Sequence, residues 1–379
     1  MLHRPLHGYY EWLMQEMRRE DVQSFKNFMR VEPQMFQELV ERLTPRLEKE
    51  QTVMRRSLEP GLRLAVALRY YATGDTYKSL MYGFRVAANT IGKIVREVSI
   101  AIVEEYAREV IACPTTTEEW LPIATQFGER WNFHHAVGAL DGKHVPIHCP
   151  PNAGSNYYNY KGFHSIILMA LVDADYRFIW VDVGAQGCAS DCTVFNASEL
   201  KQVMEDGTVG LPDPAPLPND DLDMPYFLIG DDAFPLKKWL MKPYSRRNLE
   251  DAERIFNYRL SRARRVVENA FGILANRFQC LLKRMNQRPE TVQDIVLALC
   301  CLHNMMRIRY PAVQNADLDR EDEDHNLVPG AWSQDGQLVG RYDAGNMHNM
   351  ARAAKEQRDY LKAFYNSPAR SVPWQNDML

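Results

Sequence analysis

The chain has 379 residues, 46% of them hydrophobic and 25% charged, the make-up of a globular protein large enough for two domains or for one with appendages. A formal net charge of −4 excludes a polycation, so a nucleic-acid partner would have to be held by local basic patches. No apolar run approaches a membrane span and the opening MLHRPLHGYYEWL lacks the apolar centre of a signal peptide, so an intracellular protein without a membrane partner is expected.

The first third reads as helical. In EPQMFQELVERL, Pro33 suits a first helical position, and Phe36, Leu39, Val40 and Leu43 recur at helical spacing. A second helix is expected over 61–71, with Leu62, Ala65, Val66 and Tyr70 on one face. In GDTYKSLMYGFRVAANTIGKIVREVSIAI, Thr76 can cap a short helix that Gly83 and Phe84 end, and Asn89 can cap a longer one burying Ile91, Ile94, Val95 and Val98. This is the outline of a helix-turn-helix, whose second helix would offer Thr90, Lys93 and Arg96 to DNA. The plainer reading stands beside it: a packing unit with Lys93 and Arg96 on a solvated face.

The middle of the chain changes period. HHAVGALDGKHVPIHCP and FHSIILMALVDADYRFIWVDVGAQG hold three runs rich in Val, Ile, Leu and aromatics, with DADYR as a hairpin turn. SDCTVFNASELKQVMED reads as one helix with Ser190 or Asp191 at its start. After the Pro- and Asp-rich loop GLPDPAPLPNDDLDMP, the run Tyr226–Ile229 reads as a fourth strand. RLSRARRVVENAFGILANRFQCLLKR is a long amphipathic helix, followed by another through TVQDIVLALCCLHNMMR. The order β-β-β-α-β-α-α makes this an α/β protein with a mixed sheet behind an all-helical N-terminal region. Six carboxylates between Asp317 and Asp324 read as a solvated linker, and ARAAKEQRDYLKAFY as a last helix. The seven cysteines form no CxxC pair, which points to reduced thiols. A zinc site on Cys188 and Cys192 has no support from their spacing.

Three acids meet the ends or faces of apolar elements. Asp141 lies in the first strand region, Asp231 follows the fourth strand, and Glu268 sits among Val266, Val267 and Phe271 on the long helix. If these converge, two carboxylates about 4 Å apart repel by about 4 kcal/mol at an effective dielectric of 20, so the cluster must take up a proton, an arginine or a cation. Oxygen-only ligation suits Mg²⁺ or Mn²⁺, which in phosphodiester chemistry activate water and stabilise the leaving oxygen. Each acid also has a structural reading: Asp141-Gly142 as a turn, Asp231 as a cap, and Glu268 as the helical partner of Arg264 or Arg265. Asp232, beside Asp231, would point to the opposite side of the strand.

The ordered motifs ALDGKHVPI, NYKGFHSIILMALVDADYRFIWVDVG, SDCTVF, FLIGDDAFPLKKWLMKPY, SRARRVVENAFGILANRF and CCLHNMM resemble the catalytic domain of PIF/Harbinger transposases and the Harbinger transposase-derived nucleases of animals. The resemblance covers about residues 130–310. It implies a ribonuclease-H-like mixed sheet (β-β-β-α-β-α) and a DDE site using Mg²⁺ or Mn²⁺, with Asp141, Asp231 and Glu268 catalytic and Asp191 a further metal-binding acid. Asp191 as a helix cap stays open. The expected division is a helical region over 1–125, a catalytic domain over 126–310, and an acidic linker with a C-terminal helix over 311–379. Lys143, Lys161, Lys237, Lys238, Arg262, Arg264 and Arg265 would line a phosphate track or, Lys237 and Lys238 above all, serve solubility alone, and Tyr157, Tyr158 and Tyr160 would stack on a base or line the core.

The expected function is a DNA endonuclease or transposase of the Harbinger type in the nucleus, with the cytoplasm also open. The partners implied are DNA, a Myb-like DNA-binding protein and a second copy of the chain. The alternative is a domesticated, non-catalytic DNA-binding or adaptor protein that keeps the fold. A phosphohydrolase of small substrates is a third reading, against which the basic helix and the N-terminal helices argue.

Overall fold

In the computed structural model, the described residues are 8–50, 57–310, 320–321, 327–328, 352–368 and 370–378. Seven described helices precede the first strand: α1 Leu13–Glu20, α2 Val22–Met29, α3 Pro33–Leu47, α4 Pro60–Thr73, α5 Tyr77–Phe84, α6 Ala88–Val110 and α7 Thr117–Trp131. Proline starts α3 and α4, where its missing N–H costs nothing. Thr76 caps α5 by accepting from Ser79 N at 3.2 Å. The expected cap at Asn89 is not found: α6 starts two residues earlier, behind Ala87, whose carbonyl accepts from Thr90 N and Ile91 N. No helix among the described residues is long and apolar enough to cross a membrane.

The sheet is built from β1 Ala136–Pro146, β2 Ser165–Val172, β3 Phe178–Gln186, β6 Phe227–Ile229 and β7 Leu240–Met241, in the order β3-β2-β1-β6-β7. A separate ladder pairs β4 Ala215–Pro216 with β5 Asp223–Met224. β1 pairs antiparallel with β2 and β2 antiparallel with β3, whereas β6 lies parallel to β1, and β7 parallel to β6. All of β2 is buried, as befits a strand covered on both faces.

The single helix expected after β3 is two: α8 Asp191–Asn196, capped by Ser190, and α9 Glu199–Glu205, capped by Ser198. Ser198 accepts from Lys201 N, and this second cap breaks the run. The long helix α10 spans Asp251–Arg277, beginning earlier than its apolar stripe because Glu250 and Glu253 form a capping box. QCLL follows it as a 3-10 turn, and α11 spans Pro289–Arg309. α12 covers Arg352–Asn366 and packs against α10. Of the acidic run 317–324, only Arg320–Glu321 is described, paired antiparallel with Leu327–Val328; the rest lies outside the described residues. Buried apolar side chains of the N-terminal helices, the sheet and α10–α12 form one continuous cluster.

This is a mixed α/β architecture behind a helical N-terminal region, consistent with the ribonuclease-H-like DDE fold expected above.

Candidate active site

Strand register brings the first two acids together. β1 and β6 are parallel neighbours with Ala139 opposite Ile229. Asp141 and Asp231 each stand two residues further on, so continuing the register sets Asp231, just past the end of β6, beside Asp141 within β1. Both are buried, at 7% and 4% exposure. Asp141 Oδ1 accepts from Gly142 N, and Asp231 Oδ1 from Ala233 N, each at 2.9 Å. Asp231 Oδ2 is buried without a hydrogen-bond partner.

The neighbouring Asp232 is engaged elsewhere. Its carbonyl accepts from Lys242 Nζ at 2.7 Å, and its carboxylate lies 3.5 Å from the same ammonium.

α10 packs over β1 and supplies the third acid. Arg264 and Glu268 share a face one turn apart, with Nη2 2.6 Å from Glu268 Oε1 and Nη1 3.4 Å from Asp141 Oδ2. Arg264 thus joins the first and third acids, a role that Arg-x-x-x-Glu spacing announces only for the helical half of the contact. Arg262, one of the basic residues expected on the phosphate track, is buried and donates to the Trp131 carbonyl at 3.2 Å.

Asp191 reaches the site from the N-terminus of α8. The Ser190 side chain makes the cap, accepting from Thr193 N at 3.2 Å, which leaves the Asp191 carboxylate for other work. It lies against the Gly142 backbone: a Cβ built there would stand 2.6 Å from the Asp191 carboxyl carbon. That steric relation between Gly142 and Asp191 has no local signature in the sequence.

Electrostatics marks the acids as one group. Burial, then the charges of Asp141 and Asp231, push Asp191 up to about 7. Burial raises Asp141 and Asp231 too; Arg264 opposes this in both, and Asp231 adds to it in Asp141. Glu268 is likewise pushed up by burial, with Arg264 opposing. Lys143, half-buried beyond Asp141, is pulled down to about 8 by burial and then by Lys161, against the pull of Asp141 and Glu268. His144 is driven down to about 4 by burial, Lys161 and Lys143. Its Nδ1 lies 2.9 Å from Ser165 Oγ, so it is a neutral, structurally held ring at neutral pH.

No group of three or more His, Cys, Asp or Glu among the described residues forms a ready-made metal cage, and Arg264 is the positive charge within the cluster. The donor set nevertheless fits a hard cation. It is all carboxylate oxygen, it holds more negative charge than Arg264 offsets, and one buried oxygen of Asp231 has no partner.

Of the other basic residues, Lys161 and Lys238 are exposed, while Lys237 pairs with Glu205 at 3.2 Å. Arg265 is half-buried. On α6, Lys93 is exposed and Arg96 Nε lies 3.4 Å from Asp294 of α11.

An aspartate within β1, another just past the parallel β6 and a helix-borne glutamate joined to the first through Arg264 thus make one carboxylate cluster. Residues 140–304 match the family of DDE superfamily endonucleases. Among curated proteins it is similar to "Putative nuclease HARBI1" of Bos taurus, 27% identical over 270 residues covering 70% of this chain and 72% of the relative. The Homo sapiens protein of that name matches at the same identity and coverage. "Protein ALP1-like" of Arabidopsis thaliana is 26% identical over 251 residues, covering 64% of this chain and 60% of the relative. No solved structure matches.

Proposed function

We infer that the chain is a divalent-metal-dependent DNA nuclease or strand-transfer enzyme of the Harbinger type. The observation that carries this reading is the parallel register of β1 and β6, which sets Asp141 beside Asp231 under Glu268 of α10. Asp141, Asp231 and Glu268, with Asp191 at the edge, would hold Mg²⁺ or Mn²⁺. A bound cation would supply the charge that activates water or a 3′-hydroxyl and stabilises the leaving oxygen. The chain's own residues prepare that chemistry: the Gly142 and Ala233 N–H groups orient the two aspartates, and Arg264 aligns Glu268 with Asp141. Lys161, which is exposed, would hold a strand by its phosphates. On this reading the chain acts on nuclear DNA, assisted by a separate Myb-like DNA-binding protein and by self-association.

One observation favours a second reading. Arg264 already pairs with two of the acids, as suits a domesticated DNA-binding or adaptor protein that keeps the fold without cleavage.

Incubating the full chain with DNA and Mg²⁺ or Mn²⁺ separates the two. Cleavage by the wild type and none by Asp141→Asn is expected. Cleavage no better than that of Asp141→Asn loses the catalytic reading.

A further inference from the structure

Tyr160 is an aromatic ring with no core role beside the acid cluster. It is 68% exposed, yet the turn that carries it is tightly built. Asn159, 2% exposed, accepts from Lys161 N at 3.0 Å and from Phe163 N at 3.2 Å through Oδ1, and donates to the buried Ser165 hydroxyl at 2.8 Å through Nδ2. Asn159 N donates to the Phe163 carbonyl at 2.9 Å, and Gly162 closes the turn at φ +85°. Buried polar groups satisfied this fully fix a loop rather than let it wander.

The ring's surroundings are those of a ligand platform. The His144 ring, three residues beyond Asp141, lies edge-on at 5.6 Å, and Lys161 Nζ lies 5.4 Å from the ring centroid. Gly142 and His144 share one side of β1, the side on which Asp191 lies. Tyr160 therefore stands on the Asp191 flank of the site. Burial and then Asp191, Asp141 and Asp231 push its hydroxyl up, which places it within electrostatic reach of three of the four acids. Tyr158, 49% exposed on the same loop, sits edge-on to His164 at 5.2 Å instead.

A rigid exposed π-face next to a cation, at the edge of a carboxylate cluster, is what an unpaired base and its phosphate require. We propose that Tyr160 is a positioning residue that stacks on an unpaired nucleobase of the DNA strand entering the acid cluster, with Lys161 on the adjoining phosphate. It rests on the nuclease reading above for its substrate, and it narrows that substrate to DNA with a frayed, flipped or single-stranded nucleotide at the reacting position. Duplex DNA keeps its bases stacked on one another, so a protein ring gains a base only where one is freed.

The test uses the full chain carrying Asp231→Asn, so that strands stay intact, titrated with Mg²⁺ present into duplexes bearing 2-aminopurine, one at a frayed end and one at an unpaired internal position. Quenched emission at saturation is expected with Tyr160 and with Tyr160→Phe. Tyr160→Ala should leave emission high and weaken binding on the order of tenfold. The exposure of Tyr160 makes misfolding of these variants no explanation for a change. Absence of quenching in both probes, or equal quenching by Tyr160 and Tyr160→Ala, overturns the proposal. Equal losses in Tyr160→Phe and Tyr160→Ala overturn it too, because the hydroxyl and not the ring would be at work. Cleavage by the otherwise unaltered chain, measured in parallel, keeps the two ideas apart. Quenching without cleavage retains the platform and removes the nuclease reading, whereas cleavage without quenching does the reverse.

Discussion

The Asp191 carboxylate rests where a side chain at Gly142 would stand: a Cβ on the glycine would lie 2.6 Å from the carboxyl carbon of the aspartate. Two elements far apart in sequence, β1 and α8, are thereby packed with a carboxylate resting on bare backbone next to Asp141. Gly142→Ala must push that carboxylate away, since crowding of this kind is relieved by displacing the side chain or the backbone. The expected outcome is a loss of cleavage at least tenfold and comparable with that of Asp191→Asn, while far-ultraviolet circular dichroism stays unchanged. Cleavage by Gly142→Ala at the wild-type rate would mean that Asp191 has no part in the reaction.

Metal and proton should compete for the same acids. Asp191 is pushed up to about 7, so its share of the stability is fully present below its unfolded value of 3.8 and is lost as pH rises through about 7. Asp141 and Asp231, raised in the same direction, act in the same sense. A cation that binds the ionised cluster restores what is lost, by about 2.7 kcal/mol at one hundred times its dissociation constant. Thermal denaturation with and without MnCl₂ should show a clear upward shift at pH 8 and a much smaller one at pH 5. Equal shifts at the two pH values would point to binding elsewhere.

Arg264 is the counter-charge inside the cluster, 13% exposed at its side chain and paired with Asp141 and Glu268. Removing one partner of such a pair leaves uncompensated charge, at a cost of roughly 3 kcal/mol. Arg264→Ala should therefore lower the melting temperature of the metal-free chain, and MnCl₂ should recover a larger part of it than it adds to the wild type. Increments of equal size would show that arginine and metal do not share the acids.

Far from the site, His303 of α11 is 1% exposed, with Nε2 2.8 Å from the Tyr176 carbonyl and Nδ1 without a hydrogen-bond partner. Burial drives it down to about 3. A histidine depressed in the folded state takes up its proton on unfolding, so stability falls as pH falls from about 6.5 toward 3, by at most roughly 1.4 kcal/mol per pH unit. In urea titrations between pH 6 and pH 4.5, His303→Gln should show a shallower decline than the wild type. An unchanged slope would contradict the neutral, buried ring.

Much of the layout could be read from local pattern. The apolar runs ending in Asp141 and Asp231 read as buried strands, and Arg264 and Glu268 announce a shared helix face by their spacing of four. The assignment of Asp191 could not be read this way, because Ser190 and Asp191 are both good caps and only the folded chain shows which side chain accepts from Thr193 N. The break at Ser198 was hidden because Ser also occurs inside helices. β7 was missed because two residues, Leu240 and Met241, carry no alternation. Helix α7 had no signal of its own within the helical region, because Pro122 stands at its sixth position, past the N–H groups that need no helical partner, where proline removes a helical hydrogen bond. The Gly142–Asp191 packing and the Arg264–Asp141 pair join distant segments, and no window on the sequence contains either.

The doublet after β6 offers the most direct measurement. Asp231 is buried beside Asp141 with one oxygen unpartnered, whereas Asp232 is tied to Lys242. With Mn²⁺ and a DNA substrate, initial cleavage rates are compared for the wild type, Asp231→Asn and Asp232→Asn. The account predicts at least a hundredfold loss for Asp231→Asn, the scale of removing a group that stabilises transition-state charge, and retention of most activity by Asp232→Asn. Equal loss from both substitutions, or full activity in Asp231→Asn, would contradict the assignment of the site.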